Sequence, residues 1–301
     1  MASVTAPAGQ RRQTARPRAR RRGWTPYVLL LPSVAFLAVF FLAPLVQGVQ
    51  LAFTSTSGQY GLVTFNSLLN DPGFLSALTN TLIMLAIVLP VQLALAMAMA
   101  LLVSSRPRGS GFWLYVYMLP LGVSDLTSGI VWYSVFTQQG WLNSILTSLG
   151  VIHTPVIWLS YRDSLLIIAT IVVAEAWRST SIIVIILVGG LDAIPREYLE
   201  AAEVFHASPW RKFWHVTLPL LRPALRTALI LRTVLAFEVF ATVIALAGGS
   251  LDVLATKANN AYTQFQEPHL AAAYGVLIMA LSIVATAIFL AGLPVREEQL
   301  E

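Results

Sequence analysis

Residues 78–103 read LTNTLIMLAIVLPVQLALAMAMALLV. A helix on the surface of a soluble protein carries its apolar side chains along one stripe, whereas here hydrocarbon goes all the way round. At 1.5 Å per residue, a run of this length crosses the roughly 30 Å of a bilayer's hydrocarbon core. The stretch therefore predicts a transmembrane helix, and five more runs of similar character lie at 27–51, 112–136, 164–187, 223–247 and 272–293. Composition agrees, because a chain 57% hydrophobic and only 11% charged has too little polar surface to coat a soluble globule. The expected fold is all-α, a polytopic membrane helical bundle with six transmembrane helices.

Six crossings put both termini on one side, and the basic residues say which. Arg11, Arg12, Arg16, Arg18, Arg20, Arg21 and Arg22 all precede the first span. Fourteen of the nineteen Lys and Arg residues fall on the side of the termini, against only Arg162 and Lys257 opposite; Arg178, Arg226 and Arg232 lie within spans. The positive-inside rule then assigns both termini, and the loop at 192–222, to the cytoplasm. A basic tail also suits nucleic acid, but a membrane span follows this one too closely for that reading. The first apolar run is longer than a signal-peptide core and lacks a small-residue cleavage site, so no cleaved leader is expected. The outer loops, near 52–77, 137–163 and 248–271, are rich in turn formers and long enough to receive an external partner.

The loop at 192–222 is the one polar insert between two apolar runs, and its residues spell helix, turn, helix. Pro195 suits a first helical turn, with Asp192 and Glu197 placing negative charge at that positive end. A short helix over about 195–205 follows, with Ala201 and Ala202 leaving a bare face and Arg196 spaced to pair with Glu200. Ser208 then caps a second helix with Pro209 at its first position, carrying Trp210, Phe213, Trp214 and Thr217 on one face, and Pro219 is expected to limit it. Taken as periodicity alone, this equally describes an amphipathic helix at the lipid interface, with aromatics among the headgroups and Arg and Lys against anionic lipid. A DNA-reading helix-turn-helix is disfavoured, since the membrane tethers both ends.

Residue by residue, Ile194, Pro195, Glu197, Tyr198, Glu200, Ala201, Ala202, Ala207, Ser208, Trp210, Phe213, Thr217, Leu218 and Pro219 resemble the EAA loop of ATP-binding cassette importer permeases. Supporting positions run along nearly the whole chain: Asn80–Leu82, Leu119 and Pro120, Trp132, Phe136, Gly140 and Asn143, then Ala174, Glu175, Trp177 and Thr180. Gly248, Gly249, Ala255, Tyr262, Phe265 and Gly275 complete a pattern similar to the maltose and glycerol-phosphate (carbohydrate) branch. The resemblance implies a cytoplasmic coupling helix seated in a separate ATPase, through Glu197, Tyr198, Glu200, Ala201, Ala202, Phe205, His206, Ala207, Ser208 and Trp210. It implies as partners a second homologous permease, two ATPase subunits holding ATP-Mg, an extracytoplasmic solute-binding protein and the lipid of a bacterial inner membrane. One departure stands out: where the family has Asp-Gly between the two helices, this chain has Phe205 and His206, and histidine adopts a left-handed backbone less easily than glycine.

The expected organisation is a basic cytoplasmic tail over 1–26, a transmembrane permease domain over 27–293 and a cytoplasmic tail over 294–301. The chain carries no GxxxxGK[ST] phosphate loop, no HExxH and no GxSxG, so it is read as a transport subunit and not an enzyme. With no cysteine and four scattered histidines, no cofactor or metal is expected on this chain itself.

Ionisable groups inside spans are costly unless paired or wet, which makes each a functional candidate. Glu175 and Arg178 share a helix face and are expected either to pair or to meet substrate. Arg232 and Glu238, about 240° apart around their helix, need other partners. Asp125 follows Pro120 in a stretch expected to break its helix. Together with Trp177, Phe237 and Phe240 these charges suit a polyhydroxylated solute, though the aromatics equally suit a packed core. The expected function is a permease subunit moving a sugar, glycerol phosphate or related polar solute. The rivals are an ion-coupled secondary transporter, disfavoured by the absence of inverted repeats, and a non-transporting scaffold.

Overall fold

The computed structural model of the chain describes residues 24–292; the arginine-rich segment 1–23 and residues 293–301 lie outside the described residues. Residues up to Gln47 and those from Gly48 onward form two separate units. In the first, α1 (Thr25–Leu37) passes through a π turn at Ala38–Leu42 into the opening residues of α2 (Ala43–Ala52). Tyr27–Ala52 is long and apolar enough to cross a membrane.

The second unit takes in the last residues of α2 and continues with a short helix, α3 (Val63–Leu69), which leads into the long α4 (Phe74–Ser104). α5 (Ser110–Met118) and α6 (Asp125–Phe136) follow, then α7 (Trp141–Ser148) and the long α8 (Ser164–Asp192). The polar insert forms α9 (Arg196–Val204) and α10 (Pro209–Lys212). After these come α11 (Leu218–Phe237), α12 (Ala241–Ala247), α13 (Leu254–Thr263) and α14 (Pro268–Gly292). Among the described residues the only bridge is an isolated Thr54–Tyr60 pair.

α8 is the axle, with more than half of its most apolar window buried, against 28% for α4 and 6% for α14. Lipid is as apolar as leucine, so small residues that let backbones approach do much of the work of helix association. Ala96, Ala100 and Ala228 accordingly sit at 0–1% exposure in the core shared by α4, α8 and α11. Side chains such as Ile283, Val284 and Ile288 point outward, as expected where hydrocarbon is the solvent.

Among the described residues four helices are long and apolar enough to cross a bilayer unaided, and two bent pairs bring the count to as many as six. The expected third span, 112–136, is bent: the segments Ser110–Gly122 and Asp125–Ser148 stand at 98°, with a 3₁₀ turn at Leu119–Gly122 and extended backbone at Val123 and Ser124 between α5 and α6. Ser124 starts α6 afresh, its Oγ accepting the Thr127 N–H at 3.2 Å. The expected fifth span, 223–247, differs at both ends. Pro219 does not limit the helix that starts at Pro209: a π turn at Phe213–Thr217 shifts the hydrogen-bond register just before the prolines, and the chain continues helical to Phe237. It breaks instead at Glu238–Phe240, where α12 departs at 52°.

Candidate functional site: a projecting helix and a polar centre at the helix breaks

α9 and α10 lie at the end of the bundle where α4 and α8 stop, and Arg106 after α4 approaches Asp192 at the end of α8 to 3.9 Å. Pro195 stands just before α9 as its N-cap, one position earlier than the first-turn placement expected of it. Glu197, Tyr198, Glu200 and Ala201 are exposed, whereas Ala202 is buried against the chain's own bundle. The bare face expected of both alanines is thus divided: Ala202 docks α9 and Ala201 faces away. The expected Arg196–Glu200 pair does not form among the described residues. The ion pair falls instead between Lys212 and Glu203, at 2.5 Å, because the turn folds α10 back alongside α9.

That turn explains how Phe205 and His206 replace Asp-Gly. His206 takes the left-handed backbone, at φ +54°. Its N–H bonds Glu203 O at 2.9 Å and the Ala207 N–H bonds Ala202 O at 3.0 Å, the two crossed bonds of a Schellman helix end. The geometry a glycine would allow is kept, at the conformational cost a side chain brings. Ser208 opens the second helix, accepting the Arg211 N–H at 3.3 Å. Trp210, Phe213 and Trp214 cluster beyond it, with Trp210 and Trp214 edge to face at 5.5 Å, and Phe205 and Trp210 are largely exposed.

Inside the bundle the charges pair differently from the expectation. Glu175 does not meet Arg178; it binds Arg232 of α11, Nη2 to Oε2 at 2.7 Å. Thr242 of α12 donates to its other oxygen at 2.7 Å, and Ser179 donates to Oε2 at 3.1 Å. Gln92 of α4 completes the knot, accepting Arg232 Nε at 2.7 Å and donating to the Glu175 carbonyl at 2.8 Å. Gln92, Glu175, Arg232 and Thr242 are each 1% exposed or less, so four helices are joined by one buried network. Of these Gln92 and Thr242 were missed in the sequence, although a lone carboxamide inside the apolar run 81–103 was a usable signal.

Arg178 reaches across to Asp125 at the start of α6, with side-chain exposures of 19% and 52%. Glu238, in the break before α12, is exposed and has no side-chain partner among the described residues. The two breaks lie on neighbouring helices, because α6 and α12 pack tightly: a Cβ at Gly129 would stand 3.3 Å from Thr242 Cα. Trp177 is 41% exposed, while Phe237 is buried against Leu85 and Ala236, and Phe240 is half-buried. Asp125, Glu175, Arg178 and Arg232 thus gather around the α6–α8–α11 contact, and Phe237 belongs to a packed core.

At the opposite end, two clamps that the sequence did not announce hold the loops. Tyr274 of α14 donates to Asp71 Oδ2 at 2.7 Å, the Gly73 N–H donates to Asp71 Oδ1 at 2.9 Å, and Lys257 of α13 lies 3.3 Å from the same oxygen. Burial pushes the Asp71 carboxyl up, but the Tyr274 and Gly73 hydrogen bonds and the Lys257 charge outweigh it and hold it below the ordinary carboxylate value. Asn143 pins the loop after α6, donating to Gln138 O and Val156 O and accepting from the Val156 N–H and Trp158 Nε1, at 2.8–3.1 Å.

Residues 69–292 match the family described as binding-protein-dependent transport system inner membrane component. The chain belongs to this family. The matched stretch takes in α4 to α14, and so both the projecting helix and the polar centre of this inner membrane permease. Among curated relatives, the sn-glycerol-3-phosphate transport system permease protein UgpA of Agrobacterium fabrum is 30% identical over 274 residues, covering 87% of this chain and 92% of the relative. The protein of the same name from Yersinia enterocolitica is 31% identical over 234 residues, covering 75% and 78%. A chain in the crystal structure of a bacterial ABC transporter involved in the import of the acidic polysaccharide alginate superposes with a TM-score of 0.75 at 22% identity, covering 89% of this chain and 94% of that one. The fold of this permease is therefore that of an ABC importer's transmembrane subunit.

Proposed function

We propose that this permease forms half of a solute path through the inner membrane and is driven through α9 by an ATPase on a separate chain. The observation that carries the reading is α9 itself, a helix anchored by Ala202 and the Lys212–Glu203 pair yet presenting Glu197, Tyr198, Glu200 and Ala201 outward. With the termini and α9 in the cytoplasm, closure of the ATPases around ATP-Mg pushes α9, and the continuous helix from Pro209 to Phe237 carries the push to the break at Glu238. A second permease completes the path, and a solute-binding protein delivers cargo to the loops around α3, α7 and α13. The domain limits of 27–293 with tails on either side belong to the same reading. In this scheme Glu197, Tyr198, Glu200, Ala201, Phe205, His206, Ala207, Ser208 and Trp210 meet the ATPase, while Asp125, Trp177, Arg178, Glu238 and Phe240 line the path. Glu175 and Arg232 hold the helices that move, and Phe237 packs beside them. The relatives named as sn-glycerol-3-phosphate permeases support a small polar cargo.

Purification of the tagged chain from native membranes tests the scheme. An ATPase with a Walker motif is expected to co-purify, and a lone chain that takes up solute on an ion gradient would replace this reading with a secondary transporter.

A further inference from the structure

α4, α11 and α14 meet in a small core around Leu85, Ala236 and Phe237. From that core a groove of about 470 Å³ runs toward the α9 end of the bundle, walled by Ala86, Leu89, Leu93, Leu229, Thr233 and Phe289. Its walls are hydrocarbon except for Thr233, and Leu82, Ala86 and Pro90 on α4 are exposed along it. Lipid tails are as apolar as leucine, so in a bilayer an acyl chain fills such a groove, and by itself would be indifferent to the headgroup above it.

α11 supplies the preference. At 100° per residue, Arg222, Arg226, Leu229, Thr233 and Phe237 fall within about 80° of arc on this helix, so two arginines stand just beyond the groove on the same face. Arg222 is exposed and Arg226 half-buried. Between Val204 and Phe237 the chain has five Lys and Arg residues and no Asp or Glu. Lys212 is paired with Glu203 and Arg232 with Glu175, whereas Arg222 and Arg226 have no ion-pair partner among the described residues. Arginines near a helix end can simply reach into water; the groove beneath them distinguishes these two. Like charges one turn apart repel, and an anion between them removes the repulsion. Phosphate is the suitable anion, because each planar guanidinium bonds its oxygens in pairs. The scale also fits: Arg226 and Phe237 lie about 16 Å apart along the helix, the hydrocarbon depth of one leaflet.

We propose that Arg222, Arg226 and the groove form a site for one anionic phospholipid of the leaflet on the α9 side. Its phosphate sits between the two guanidinium groups, and one acyl chain lies along Leu229, Thr233 and Phe237. A zwitterionic lipid, which carries its own ammonium beside the phosphate, satisfies the two arginines less well. The site requires only that these helices cross a membrane, and so stands apart from the choice of cargo or motor.

The full chain, with whatever subunits accompany it, is extracted in mild detergent, exchanged into phosphatidylglycerol or phosphatidylcholine, and weighed intact by native mass spectrometry. One phosphatidylglycerol is expected to stay bound under conditions that strip phosphatidylcholine. Arg222→Gln with Arg226→Gln should weaken it about thirtyfold, about fivefold for each charge, whereas Arg222→Lys with Arg226→Lys should keep most of the binding. Ala86→Trp, which fills the groove and leaves both arginines in place, should also release the lipid. A photo-crosslinker on Ala86→Cys, then the single thiol in the chain, should add the mass of a phospholipid. Equal retention of the two lipids, or unchanged binding in the double glutamine variant or in Ala86→Trp, overturns the proposal. Capture of a peptide by the crosslinker does so too, and shows that a helix occupies the groove. Any accompanying ATPase appears in the same spectra, so failure of the importer reading and failure of the lipid site are separate results.

Discussion

Arg232 of α11 and Glu175 of α8 bond at 2.7 Å with both side chains 1% exposed, and Gln92, Ser179 and Thr242 supply further hydrogen bonds to the pair. Two charges at this depth are tolerable only because each is matched by the other and held by further hydrogen bonds. The pair ties the axle of the bundle to the helix that descends toward α9, so it constrains how the two move relative to each other.

Breaking the pair on one side should therefore be severe. Arg232→Met leaves Glu175 charged and unmatched, an expected loss of about 3–5 kcal/mol. The double variant Arg232→Met with Glu175→Leu removes both charges and should recover most of it. Thermal unfolding of the purified complex separates the cases, and equal damage from single and double variants would show that the pair is not the source of the stability.

At the helix turn, His206 holds φ +54°. His206→Gly removes the strain of a side chain there and should stabilise the turn by about 1 kcal/mol. His206→Val, branched at Cβ, should lower both stability and ATP-driven uptake. Transport equal in all three proteins would mean the left-handed turn is not needed for coupling.

The two alanines of α9 should behave differently. Ala201 faces outward, so Ala201→Arg is expected to leave the chain folded but to lose ATPase co-purification and uptake. Ala202 is buried, so Ala202→Arg is expected to reduce the amount of folded chain. Retained ATPase binding in Ala201→Arg would remove α9 from the coupling scheme.

Asp71 gives the loop clamp a pH dependence. Its carboxyl is held below the ordinary value of 3.8, so the clamp's contribution is complete above that pH and is lost as pH falls further, through the lowered value. Asp71→Asn should be less stable than the parent at neutral pH, with the difference closing only in strong acid. Hydrogen exchange at residues 69–74 and 252–258 reports this, and a difference that closes already between pH 5 and 7 would contradict the assignment.

Glu238 sits exposed where α11 gives way to α12. Glu238→Gln should change the kinetics of uptake while subunit assembly stays intact. Normal kinetics would return the residue to a purely local role in the turn.

The two halves of the candidate site differed in how far they could be read in advance. α9 and its neighbour were legible because caps and turns are local: Ser208 before Pro209, and a non-helical pair at Phe205 and His206, state their geometry within a few residues. The buried network was not legible, since Gln92, Glu175, Arg232 and Thr242 come from four helices up to 150 positions apart, and helical spacing offers Glu175 the nearer Arg178 first. The bends at Leu119–Gly122 and Glu238–Phe240 fall between these cases. Pro120 marked the first, whereas Pro219 suggested an interruption that a π turn absorbs.

What the amino-acid order determined by itself is the solvent and where the long apolar runs fall, because hydrocarbon excludes any backbone group that is not bonded within its own segment, and twenty apolar residues suffice to satisfy it. It also determined the helix, turn, helix of residues 195–217, through caps that act over three or four positions. Only the tertiary structure decided which charge meets which, which alanine of α9 is free, and which arginines of α11 are left without a partner among the described residues. Those outcomes depend on where distant helices touch, and in a medium without water a charge binds whatever partner the packing brings within reach.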